Sequence, residues 1–154
     1  MITKPSSKEL AGLLARLAVG GVLVYSGVIK ALAPAEEFAF AIESYRVLNA
    51  QLSLWAAYAV PWIELYAGLL LAAGVFTRFF AAFNGAMLVF FELLLGQAWL
   101  RGLPITSCGC FGSSASNSIE QEFAQNIGLL CLAWAAFKYG GWLTADNAVG
   151  PDEA

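Results

Sequence analysis

Residues 52–76, LSLWAAYAVPWIELYAGLLLAAGVF, are followed by Thr77-Arg78 and then by residues 79–100, FFAAFNGAMLVFFELLLGQAWL. Each apolar run exceeds the roughly 20 residues that a helix needs to cross a bilayer. A two-residue polar break between them leaves room only for a tight antiparallel hairpin. Each run carries one acid, Glu64 in the first and Glu92 in the second, and the first also contains Pro61. Charged groups at that depth are costly, and they are usually paired or functional. The hairpin thus predicts a membrane fold and two positions at which to look for chemistry.

Upstream of the hairpin, an apolar segment from about Leu10 to Leu32 is interrupted by Arg16 and ended by Lys30. It reads as a retained first span, too long for the apolar core of a cleavable signal peptide. Pro34 then opens PAEEFAFAIESYRVL, residues 34–48, with Phe38, Ile42, Tyr45 and Leu48 at helical spacing. Proline in the first turn with acids beside it suits a helix N-terminus. The expectation is a short amphipathic helix at the membrane surface, or else a loop helix packed on the bundle. Downstream, Arg101 leads into a turn-rich loop, Gly102 to Ser118, and a fourth span runs from Ile119 or Glu120 to around Tyr139-Gly140-Gly141. The expected fold class is therefore all-α: an integral membrane four-helix bundle with a short interfacial amphipathic helix between spans one and two. Residues 1–9 form an N-terminal tail, 10–141 the membrane domain and 142–154 a polar C-terminal tail.

The composition supports the same class. Of 154 residues, 60% are hydrophobic and only 12% charged, about half the charge of a soluble domain. The chain has no histidine, which removes His-ligated metals and haem and Ser-His or Cys-His catalysis. A net charge of −3 leaves no footprint for nucleic acid, so lipids and proteins are the expected partners. With the N-terminus inside, Lys4, Lys8, Arg78 and Lys138 lie on the cytoplasmic side and Lys30, Arg46 and Arg101 outside. The positive-inside rule then places both termini in the cytoplasm. The loop carrying Cys108 and Cys110 faces the periplasm or cell exterior, where disulfide chemistry is permitted.

That loop holds Cys108-Gly109-Cys110-Phe111-Gly112. Glycine tolerates the dihedrals that a small strained ring demands, and strained exposed disulfides are the labile ones. Cys108 and Cys110 are thus candidates for reversible redox chemistry, against a permanent bridge or two free thiols. Two thiolates without histidine leave a tetrahedral metal shell half empty, so no metal is expected. Cys131, about 11 residues into the fourth span, is a packing residue facing lipid or a neighbouring helix, or a relay partner for a re-entrant Cys108 loop. Glu64 is a candidate for tuning or relaying protons, and Arg16 on span one is its expected cation, with Lys30 nearer the outer surface. The plainer alternative is an Arg16–Glu64 bridge that sets helix register, with a neutral Glu92 hydrogen-bonded to a neighbour.

Arg16-Leu-Ala-Val-Gly20 leading to Tyr25-Ser26-Gly27 and Lys30 resembles the first-span signature of DoxX-like membrane proteins. Pro61-Trp-Ile-Glu64-Leu-Tyr-Ala-Gly68, continuing to Gly74, resembles their second-span pattern, and Cys108-Gly-Cys110-Phe-Gly112 resembles the loop of the methylamine-utilisation MauE branch. The resemblance is collinear over about residues 10–140. It implies a four-helix protein of the bacterial inner membrane that supports thiol–disulfide exchange with a periplasmic thioredoxin-like partner. On that hypothesis a quinone is a candidate for the membrane-side electron carrier. The competing expectation is a non-catalytic accessory subunit of a larger membrane complex, respiratory or photosynthetic.

Overall fold

The computed structural model describes residues 6–103 and 119–145. These residues form α1 (Ser7–Leu32), α2 (Ala35–Ser44), α3 (Ala50–Ala73), α4 (Thr77–Leu100) and α5 (Ile119–Tyr139), without a strand among them. The protein is an all-helical membrane bundle. Three of its helices, α1, α3 and α4, are long and apolar enough to cross a membrane.

Local chemistry sets the helix ends. Ser6 and Glu9 form a capping box, which satisfies two of the N-terminal N–H groups that a helix leaves open. α1 therefore begins at Ser7, a turn earlier than the apolar run at Leu10. Asn49 caps α3, its side chain accepting from the Leu52 N–H at 2.9 Å. Gly74 ends α3 in the left-handed region, with φ +77°. The N–H groups of Gly74 and Val75 both turn back to the Leu70 carbonyl, so orphan carbonyls are closed off where glycine pays no Cβ penalty. The hairpin connection is consequently Gly74–Phe76. Thr77-Arg78, expected as the break itself, is instead the first turn of α4.

The four long helices close a ring in which α1 packs on α3 and α5, and α4 packs on the same two. Small residues bring α1 and α3 together. A Cβ on Gly20 would stand 2.7 Å from the Gly68 carbonyl, and one on Gly27 would stand 2.7 Å from the Pro61 carbonyl. Such close backbone approach is how membrane helices gain contact without a hydrophobic driving force. Val19 and Leu23 of α1, Leu71 of α3, Leu88 of α4 and Ala133 and Ala136 of α5 fill the centre.

α2 lies on the N-terminal half of α3, where Phe38 and Ala39 bury against Ala57. At 21 residues, α5 is about 31 Å long. It is more polar than the other three, with Glu120, Gln121 and Gln125 exposed and Glu122 and Asn126 turned into the bundle. The outer surface carries large apolar side chains such as Leu14, Trp55, Phe90 and Leu93, as a lipid-facing surface does.

Candidate functional site

The site is built at the α1–α3 contact. Gly20 faces Gly68 and Gly27 faces Pro61, so the two helices run antiparallel. Side chains lean toward the N-terminus of their own helix. Lys30 on α1 therefore leans back while Glu64 on α3 leans the opposite way, and the two heads meet. Lys30 Nζ donates to both Glu64 oxygens at 2.8 Å, and Ser26 Oγ donates to Oε2 at 3.1 Å. Both charged side chains are 2% exposed. A buried pair survives only when its geometry is good and its remaining hydrogen-bonding capacity is met, and Ser26, one turn before Lys30, supplies part of that.

Two rings close the other side of the ammonium. Lys30 Nζ stands 5.0 Å from the Phe38 centroid and 5.7 Å from the Phe91 centroid, within the range of a cation–π attraction. A cavity of about 30 Å³ adjoins the pair, lined by Ser26, Lys30, Glu64, Phe91 and Asn126 among others. That volume suits one water molecule. Asn126 is 7% exposed, and its buried Nδ2 has no hydrogen-bond partner among the described residues. On the far side of Phe38 and Phe91 lies a second cavity of about 350 Å³ between α2, α3 and α4. Ile42, Val60, Met87 and Leu94 help to line it, and Tyr45 carries its one side-chain hydroxyl.

The other candidates are dispersed. Arg16 does not reach Glu64, since 14 residues of α1 separate it from Lys30, about 21 Å along the axis. Its guanidinium instead donates to the Gly140 and Leu143 carbonyls, both at 3.0 Å, and packs over Gly74, where any Cβ would collide with it. The expected Arg16–Glu64 bridge is thus replaced by Lys30–Glu64. Glu92 shares the α4 face of Leu88 and Leu95. Both its oxygens are buried without a hydrogen-bond partner among the described residues, and it does not line the cavity beside Glu64. Cys131 is a free cysteine on the exposed side of α5. Cys108 and Cys110 lie outside the described residues.

Ser26, Asn126 and the ring pair Phe38 and Phe91 were not singled out as site residues by sequence reasoning. Ser26 had a usable signal: it stands four residues before Lys30, on one face of a helix. Asn126 had none, because it sits beside Gln125 in the polar first half of α5.

These features define a class, a helical membrane protein holding a buried Lys–Glu pair at a glycine-mediated helix contact. Residues 8–139 match the family model described as methylamine utilisation protein MauE, and the chain belongs to that family. The match takes in almost the whole bundle together with the Cys108–Cys110 segment. Neither a curated protein nor a solved structure matches the chain.

Proposed function

We propose that the protein is an inner-membrane accessory protein of the methylamine-utilisation type that supports thiol–disulfide exchange outside the membrane. Cys108 and Cys110 are the exchanging pair, and a thioredoxin-like protein is the partner. The observation that carries this reading is the MauE match, which runs through the Cys-Gly-Cys segment as well as the helices on both sides of it. The order and spacing of the first- and second-span motifs add a DoxX-like affinity to the reading. The distribution of Lys and Arg supports an orientation with both termini in the cytoplasm and this segment outside.

The segment leaves α4 from a firm base. Leu103 packs against Leu95 and Ala98, and its N–H bonds the Ala98 carbonyl at 3.0 Å. Phe123, near the start of α5, joins the same cluster. Converting the Cys108–Cys110 dithiol to a disulfide releases two electrons and two protons, and a quinone supplies an acceptor for both. The 350 Å³ cavity fits an apolar ring, which Phe38 and Phe91 would flank and the Tyr45 hydroxyl would meet. Glu64, held by Lys30 and Ser26, serves here to keep α1 and α3 in register around that cavity.

Thiol trapping with mass spectrometry tests the reading. The pair is expected to shift between dithiol and disulfide as growth moves from reducing to oxidising conditions. A pair locked in one state overturns it.

One observation favours the second reading, a non-catalytic subunit of a larger membrane complex. Trp55, Tyr58, Trp62 and Tyr66 are all more than half exposed. Their spacing of three, four and four residues places them on one face of α3, a stripe suited to a neighbouring helix. Stoichiometric co-elution with a partner, together with full activity of a Cys108→Ser/Cys110→Ser variant, selects that reading.

A further inference from the structure

At the end of the bundle opposite α2, the start of α4 and the end of α5 enclose a cavity of about 460 Å³. Arg78 and Lys138 both line it, with Thr77, Thr144 and the rings of Phe79 and Phe137. Arg78 is exposed and makes no hydrogen bond or ion pair among the described residues. Lys138 lies over the Trp134 ring at 4.9 Å, which holds its ammonium in place and leaves its hydrogens to an acceptor.

The backbone around the cavity is arranged for the same charge. The α4 cap residue, Phe76, offers no side-chain acceptor to the first turn, and the N-terminal end of a helix carries partial positive charge. In the turn that follows α5, the Gly140 and Leu143 carbonyls, which would repel an anion, are taken by Arg16.

The cavity does not end at the polar groups. Phe137 is shared with an apolar groove of about 290 Å³ between α4 and α5. Ala82 and Gly85 form its floor on the α4 side, and Leu130 and Trp134 wall it on the α5 side. A cationic mouth at a bundle end, adjoining across Phe137 an apolar groove between α4 and α5, has the two-part chemistry of a phospholipid. We infer that Arg78 and Lys138 bind the phosphate of an anionic phospholipid whose acyl chain lies in the Gly85–Trp134 groove. The adjoining groove favours a lipid over a free phosphate, and the paired cations favour an anionic lipid over a zwitterionic one.

Native mass spectrometry of the purified full-length chain tests this, with phosphatidylglycerol, phosphatidylcholine or glycerol phosphate titrated into the detergent. Phosphatidylglycerol is expected to bind more tightly than phosphatidylcholine. Each cation near a membrane surface is worth about fivefold in affinity, so an Arg78→Gln/Lys138→Gln variant should bind phosphatidylglycerol roughly thirtyfold more weakly. Arg78→Lys/Lys138→Arg should retain binding. Gly85→Leu fills the groove while leaving both cations in place, and it should weaken the lipid without altering any response to glycerol phosphate. Equal binding of the two lipids, or undiminished phosphatidylglycerol binding in either the charge-removing or the Gly85→Leu variant, overturns the inference. Glycerol phosphate competing as well as the lipid also overturns it, by making the site one for a free anion.

Discussion

Lys30 and Glu64 stand 34 positions apart in the chain and 2.8 Å apart in the fold. Removing one partner of a buried pair strands the other charge, a cost of about 3–5 kcal/mol. Replacing both with apolar groups removes the stranded charge. Lys30→Met and Glu64→Leu are each therefore expected to lower thermal stability in detergent markedly, and the double variant to recover most of the loss. A double variant as unstable as the sum of the singles would show that the pair is not coupled. That Glu64 needs a cation was legible in the sequence, because an acid in an apolar run has few other ways to exist. Which cation serves was not, because Arg16 and Lys30 share a helix and only the α1–α3 register chooses between them.

Among the helices, the decisive contact is the glycine one. Since even a Cβ on Gly20 or Gly68 would press on the opposing backbone, Gly68→Val is expected to push α1 from α3, with a cost of about 1–3 kcal/mol from overpacking. A fall in melting temperature, with partial loss of the Lys30–Glu64 coupling measured by double-mutant cycle, checks it. At the other end of α1, Arg16 binds the turn that follows α5, at Gly140 and Leu143, through two charged hydrogen bonds, each worth about 1.5–3 kcal/mol. Arg16→Met should speed amide exchange around residues 140–143 before it affects the α3–α4 hairpin, and uniform exchange across the bundle would refute the local role. The helices themselves were largely readable, with ends within a few residues of the apolar runs. The departures came from capping: Ser6 and Glu9 pull α1 outward, and Gly74 moves the hairpin turn ahead of Thr77.

For the molecule as a whole, the proposed lipid site lies at the start of α4, whereas the segment that carries Cys108 and Cys110 follows the opposite end of that helix. A Cys108→Ser/Cys110→Ser variant is accordingly expected to keep native thermal stability and phosphatidylglycerol binding while losing thiol trapping, which native mass spectrometry and alkylation read separately. The amino-acid sequence by itself determined that the chain is an all-helical membrane protein. In lipid the backbone must be satisfied by a helix or a closed barrel, and unbroken apolar runs of more than about 20 residues fit a spanning helix and not a strand of about 10. It also marked Glu64, Glu92 and the Cys108–Cys110 segment as the places where chemistry was worth seeking. Only the tertiary structure decided that Lys30 neutralises Glu64, that Arg16 serves α5, and that Arg78 and Lys138 meet across one cavity. Those pairings join residues far apart in the chain, and the distance between two helices is set by how closely their smallest residues let the backbones approach.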